Sequence, residues 1–181
     1  MSHRLDNGSL WAANLGEVRP ELQEDAPAFS DVVIIGAGYT GLWTAYYLNR
    51  IDPNISITIY ESETVGFGAS GRNGGWCMGA AMGIEHLLRS EAKDKGIELL
   101  KAMHQTVDEI GRVCQAENID CHYKKGGTLT VATRPFQIEG LHAAIEAKHN
   151  LGFSNADYTW LPETEARTRL GMRPNYGAMF S

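Results

Sequence analysis

The stretch VVIIGAGYTG, Val32 to Gly41, constrains this chain more than any other segment. Asp31 leads into four consecutive β-branched residues, the pattern of a strand covered on both sheet faces. Gly36, Gly38 and Gly41 follow at GxGxxG spacing, with Ala37, Tyr39 and Thr40 between them. Gly36 permits the sharp exit from the strand. Gly38 lacks a Cβ, so backbone can approach a diphosphate. Gly41 lets the following helix pack tightly on the strand. The spacing predicts that helix through Leu42 to Arg50, with a break at Asp52-Pro53-Asn54. A second strand, SITIY, follows at Ser56 to Tyr60. Strand, tight turn, helix and strand within about 30 residues open a parallel βαβ unit. The expected fold class is therefore α/β, with a Rossmann-like nucleotide-binding unit.

Glu61 ends the second strand, twenty positions after Gly41. A carboxylate there accepts hydrogen bonds from ribose hydroxyls, while the helix amides around Tyr39 and Thr40 face the phosphates. A 2′-phosphate would meet like charge at Glu61, which disfavours NADP. NAD and FAD share the adenosine diphosphate half, so the turn alone does not separate them. A second glycine cluster does. VGFGASGRNGG, Val65 to Gly75, arrives within a few residues of Glu61. Its glycines give the backbone freedom to wrap a bulky group, and Ser70, Arg72 and Asn73 add polar contacts. That favours a flavin over a nicotinamide.

Beyond residue 90 the signals are those of packing. Ile97, Leu100, Met103, Val107, Ile110 and Cys114 form one apolar helical stripe. Thr128 to Thr133, TLTVAT, alternates as a half-buried strand. Pro135 to Asn150 reads as a helix, Glu163 to Leu170 as a short helical turn, and Asn175 to Ser181 as a loop entering a strand. Residues 1–30 read as an extended or loosely packed arm, carrying Pro20, Pro27 and several acids, with Trp11 as its anchor to the body. The expected division is an arm at 1–30, a cofactor-binding portion at 31–120 and a partial second domain at 121–181.

Composition narrows the partners. The 181 residues are 43% hydrophobic and 21% charged, enough for a real core. Net charge is −6, and no basic run exceeds Lys124-Lys125, which argues against nucleic acid or an anionic membrane surface. The apolar run Val32 to Gly38 is too short to span a bilayer, and the first 26 residues have no signal-like apolar region. Cys77, Cys114 and Cys121 show no CxxC spacing, and the six histidines form no HxH or HExxH arrangement, so a metal site is not supported. Reduced thiols and a cytoplasmic location are the expectation.

GAGYTG, YES at Tyr60 to Ser62, and GASGRNGG together resemble the N-terminal part of the D-amino-acid-oxidase-like (DAO) family of FAD-dependent oxidoreductases. SLWAAN and KKGGTLTVAT are similar to its γ-glutamylputrescine oxidoreductase-like branch. The resemblance implies FAD as cofactor and a small-molecule amine or amino acid as substrate, oxidised at a C–N bond by hydride transfer to the flavin. It implies that Gly36, Ala37, Gly38, Tyr39, Thr40 and Gly41 hold the pyrophosphate, that Glu61 binds ribose, and that Ser62 sits by the adenine. Ala69, Ser70, Arg72, Asn73 and Gly74 would pass along the ribityl chain and isoalloxazine. Arg72 and Trp76 could approach the flavin ring, but no general base is assigned. Thr128 to Thr133 would belong to an α+β substrate domain. Family members are at least twice this long, so a truncated, incomplete enzyme is expected, its last strand having no partner after it. A non-catalytic dinucleotide-binding module and an NAD-dependent dehydrogenase are the alternatives.

Overall fold

The structure, a computed structural model, describes residues 9–15 and 27–181. The rest of the N-terminal arm lies outside the described residues. The chain divides into two compact units, Met1–Trp76 and Cys77–Ser181.

In the first unit, α1 (Leu10–Leu15) is helical where the sequence pointed to an extended arm. The signal was local: the Ser9 hydroxyl accepts the Trp11 N–H, and Ala13 N–H bonds the Ser9 carbonyl, as at an N-cap. β1 (Val32–Ile35) and β2 (Ile57–Tyr60) pair in parallel, Val32 opposite Ile57 and Ile35 opposite Tyr60. α2 (Tyr39–Ile51) crosses between them and starts three residues before the expected helix, because the turn itself enters the first helical turn. β1 departs from the sequence expectation in one respect. Val32 and Ile34 are half-buried, but Val33 is 54% and Ile35 80% exposed, so one face of the strand is open among this unit's described residues. Within the unit α2 is the helix that packs on both strands, and one helix covers one face.

A carboxylate fastens each end of this strand pair. At the start, Asp31 Oδ2 accepts the Ser56 N–H at 2.9 Å and the Ser56 hydroxyl at 2.7 Å, while Asp31 N–H returns a bond to Ser56 Oγ at 2.9 Å. At the far end stands Glu61.

The second unit holds α3 (Glu85–Leu88), α4 (Lys93–Ala116), β3 (Leu129–Val131), α5 (Gln137–His149), β4 (Thr159–Leu161), α6 (Glu163–Arg169) and β5 (Ala178–Phe180). Of the apolar stripe of α4, Leu100 is buried and the other five residues are half-buried, and the core that Leu100 joins belongs to this unit. Leu100 joins Ile84 and Phe153 in one cluster, flanked by Leu87, Leu88 and Tyr158. That is why compactness divides the chain after Trp76, whereas the sequence reading placed the line after residue 120.

β3, β5 and β4 form an antiparallel sheet in that order, Leu129 and Thr159 both lying opposite Phe180. β4 has no counterpart in the sequence expectations, which place a strand at the end of the chain with no partner after it. That strand, β5, is the central one, with both partners supplied by earlier segments. Leu161, Ala166 and Ala178 make the core beneath it. Among the described residues no helix is long and apolar enough to cross a membrane.

Candidate functional site

All the candidate residues lie in the first unit, and its hydrogen bonds draw them together around Ala37. This residue is 3% exposed. Its N–H donates to Glu61 Oε2 at 2.8 Å, and its carbonyl accepts the Gly66 N–H at 2.9 Å. One buried residue thus ties the turn to the end of β2 and to the start of the second glycine cluster. The sequence reading included Ala37 only as a member of the turn, since an alanine carries no side-chain signal of such a role.

Gly36 has a φ of +99°, a left-handed value that favours glycine, and its N–H bonds the Tyr60 carbonyl at 2.7 Å. A Cβ there would meet nothing within 4 Å, so the outer side of the turn is open. Gly41 is the opposite case. Its Cβ would stand 2.1 Å from the Gly36 carbonyl oxygen, so the helix can sit this close to the turn only without a side chain.

Gly38 is the N-cap of α2 and offers no side-chain cap of its own. Ser70, from a 3-10 turn at Ala69–Gly71, supplies one: its Oγ accepts the Tyr39 N–H at 2.9 Å. Accepting there, the hydroxyl keeps its own proton to donate. The amides of Thr40 and Gly41 are first-turn amides with no acceptor inside the helix, and the helix dipole favours an anion beside them.

Glu61 is bonded on both oxygens. Oε1 accepts the Glu63 N–H at 3.1 Å and lies 3.4 Å from the Ser62 hydroxyl that donates to it. The Ala37 amide, and then the Glu63 amide, hold its carboxyl below the usual range. It is therefore an anion at neutral pH, with lone pairs remaining for a donor such as a hydroxyl.

Arg72 and Asn73 turn inward in this structure. Arg72 Nε donates to the Phe67 carbonyl at 2.8 Å, with its guanidinium 4.7 Å from the Phe67 ring centre. Asn73 Nδ2 donates to the Ser70 carbonyl at 2.6 Å, and its Oδ1 accepts the Gly75 N–H at 2.7 Å. Both side chains brace the loop. A Cβ at Gly74 would meet open space, and Trp76 is 71% exposed.

The arm also reaches this loop. Trp11 Nε1 donates to the Asn73 carbonyl at 2.7 Å, and the Ser9 hydroxyl donates to the Gly71 carbonyl. The indole lies on Gly75, where a Cβ would be 2.8 Å from Trp11 Cζ2. Trp11→Ala removes this hydrogen bond and this contact, worth together on the order of 1–3 kcal/mol. Amide hydrogen exchange at residues 71–76 is expected to accelerate, with Trp11→Phe intermediate. Unchanged exchange in Trp11→Ala would show that the strap holds nothing.

This donor set fits the adenosine diphosphate half of FAD: open space over a glycine turn, helix amides, a hydroxyl beside them, and an ionised carboxylate at the neighbouring strand end.

Comparison with known proteins agrees with that chemistry. The family described as FAD dependent oxidoreductase (DAO) matches residues 31–181. The probable oxidoreductase OrdL of Haemophilus influenzae is 31% identical over 153 residues, 83% of this chain and 34% of that protein. Gamma-glutamylputrescine oxidoreductase of Escherichia coli is 32% identical over 139 residues, 76% of this chain and 32% of that protein. The coproporphyrinogen III oxidase of Staphylococcus aureus is 40% identical over 73 residues, 37% of this chain and 16% of that protein. The chain thus spans about a third of the length of the first two relatives. With a match running from Asp31 through Ser181, the chain belongs to the DAO family of FAD-dependent oxidoreductases.

Proposed function

We propose that this chain is the FAD-holding N-terminal part of an oxidoreductase that oxidises a C–N bond of a small-molecule amine or amino acid. The observation that carries the reading is the junction at Ala37. One buried residue sets the phosphate turn, the ribose-side carboxylate and the second glycine loop in a fixed relation.

Each residue then has a task. The Thr40 and Gly41 amides and the Ser70 hydroxyl take the pyrophosphate over the open side of Gly36, while the Tyr39 amide, expected to join them, is held by Ser70. Glu61 accepts from ribose, and Ser62 lies toward the adenine. Ala69 to Gly74 run beside the rest of the cofactor, and the inward bracing by Arg72 and Asn73 keeps that backbone in place. FAD, when bound, supplies the hydride-accepting chemistry. The similarity to gamma-glutamylputrescine oxidoreductase favours an amine as the substrate. The second unit contributes β3 to a substrate domain, and the protein works in the cytoplasm.

Titration of FAD and NAD into the purified chain tests this. FAD is expected to bind more tightly than NAD, because the second glycine loop suits the larger cofactor. Added amines are expected not to reduce the flavin, because the chain covers only about a third of its relatives' length. A preference for NAD would remove the flavin reading. Stoichiometric reduction of bound flavin by an amine would show that the chain is a complete enzyme.

A further inference from the structure

The C-terminus of α4 reverses the chain in a way that brings two thiols together. Asn118 adopts a left-handed φ of 53° just past the helix. The Ile119 N–H bonds the Cys114 carbonyl at 2.8 Å, and the Asn118 N–H bonds the Gln115 carbonyl at 3.4 Å. These two bonds make a Schellman motif, with asparagine in the place more often held by glycine. The chain then runs back along α4. A second left-handed residue, His122 at φ 55°, turns it toward the helix. The Tyr123 hydroxyl donates to the Val107 carbonyl at 2.6 Å, the Tyr123 ring lies against Gly111, and Lys125 pairs with Asp108. The segment is pinned on both sides of residue 121.

In that register Cys121 Sγ stands 3.5 Å from Cys114 Sγ, and both thiols are free. Cys121 is exposed, whereas Cys114 is half-buried on the helix. A cavity of about 320 Å³, lined by Cys114, Gln115, Ile119, Asp120 and His122 among others, opens beside Cys114. Among the described residues no cluster of three His, Cys, Asp or Glu side chains is placed to hold a metal ion.

We propose that Cys114 and Cys121 form a reversible dithiol–disulfide site, oxidised by a small hydroperoxide that reaches the exposed Cys121 from solvent. The exposed Cys121 thiolate attacks the peroxide oxygen. An S–O bond forms, the O–O bond breaks, and with hydrogen peroxide the first water leaves. Cys114 then attacks the Cys121 sulfur. The S–S bond forms, the S–O bond breaks, and the departing hydroxide takes a proton to become the second water. Two thiols lose two electrons in all, and one peroxide gains them. Burial, and then the contact with Cys121, raise the Cys114 thiol above its usual range, which makes it the poorer first nucleophile, and it gives up its proton as it attacks Cys121. The sulfurs must close by about 1.5 Å to bond. Cys121 lies in non-helical chain, which can move while Cys114 stays fixed in α4. The bond would lock the returning segment onto the helix, in the manner of a transient redox-sensing disulfide.

The test is peptide mapping of the purified protein after one equivalent of hydrogen peroxide, with iodoacetamide added to block free thiols. Trypsin releases Val113 to Lys124 as one peptide carrying both cysteines. It is expected to be lighter by two hydrogen atoms, to take up no iodoacetamide, and to regain two alkylation sites after dithiothreitol. Cys77→Ser is expected to leave this unchanged. Cys114→Ser is expected to leave a Cys121 sulfenic acid that dimedone traps. The proposal is overturned if the peptide is still alkylated twice after peroxide, or if either cysteine is recovered joined to Cys77 or to a second chain.

Discussion

Gly41→Ala is expected to disrupt the turn and abolish FAD binding, and to be more damaging than Gly38→Ala. The added methyl carbon would lie 2.1 Å from the Gly36 carbonyl oxygen and 3.2 Å from Ile34 Cγ2. The first contact is with backbone, so no side-chain rotation relieves it. Nor can Gly36 retreat easily, since its N–H is bonded to Tyr60 across the strand pair. Either α2 lifts from β1 or the turn opens. Overpacking of this kind costs about 1–3 kcal/mol, and a backbone clash belongs at the upper end. At Gly38 the new carbon would be 3.0 Å from Ser70 Oγ, the end of a side chain that can rotate away. Gly38→Ala should therefore keep the fold and weaken FAD binding, because the methyl stands where diphosphate must approach. Thermal unfolding and FAD titration of the two variants check this. If Gly41→Ala melts and binds like the parent, tight packing of helix on turn is not what the third glycine provides.

That contrast also shows which parts of the fold were legible in the residues. The turn, the parallel strand pair and the long helix are written in short-range patterns: glycines at fixed offsets, β-branched runs, and an apolar stripe every three or four positions. Elements fixed by distant partners left weaker traces. β4 and β5 are three residues each, and β5 pairs both with β4 and with β3, which lies about fifty residues before it. Nothing near Ser70 says that its hydroxyl caps a helix starting at Tyr39. Nothing near Asp31 says that it bridges to Ser56. The α1 helix was the exception, because Ser9 followed by Leu-Trp-Ala-Ala is a readable N-cap. The apolar run of β1 suggested cover on both faces. Composition records that a face is apolar, but not which element lies on it.

Glu61 gives the second large effect, and here two roles must be separated. Its carboxylate holds the Ala37 amide on one oxygen and the Glu63 amide on the other. Glu61→Gln keeps one carbonyl oxygen, so one of these amides loses its partner. Glu61→Ala leaves both without one. FAD affinity is expected to fall a few-fold in the first variant and roughly tenfold or more in the second, the scale of lost bonds to a charged group. A carboxylate that only props the turn would weaken all diphosphate ligands alike. One that also reads ribose would let the parent prefer ADP over its 2′-deoxy analogue, with the preference gone in Glu61→Ala. Acid supplies an independent measure. The Asp31 and Glu61 carboxyls are both held below their usual values, Asp31 by the Ser56 amide and hydroxyl and Glu61 by the Ala37 and Glu63 amides. A carboxyl depressed in the folded state contributes stability that is fully present above its ordinary range and lost as pH falls through the lowered value. Unit stability and ADP binding are therefore expected to be flat from about pH 5 to 8 and to fall only in stronger acid. Glu61→Gln should remove the Glu61 share of that fall and leave the share from Asp31. Equal ADP and 2′-deoxy-ADP binding in the parent, with an unaltered acid limb in Glu61→Gln, would reduce Glu61 to a solvated strand end.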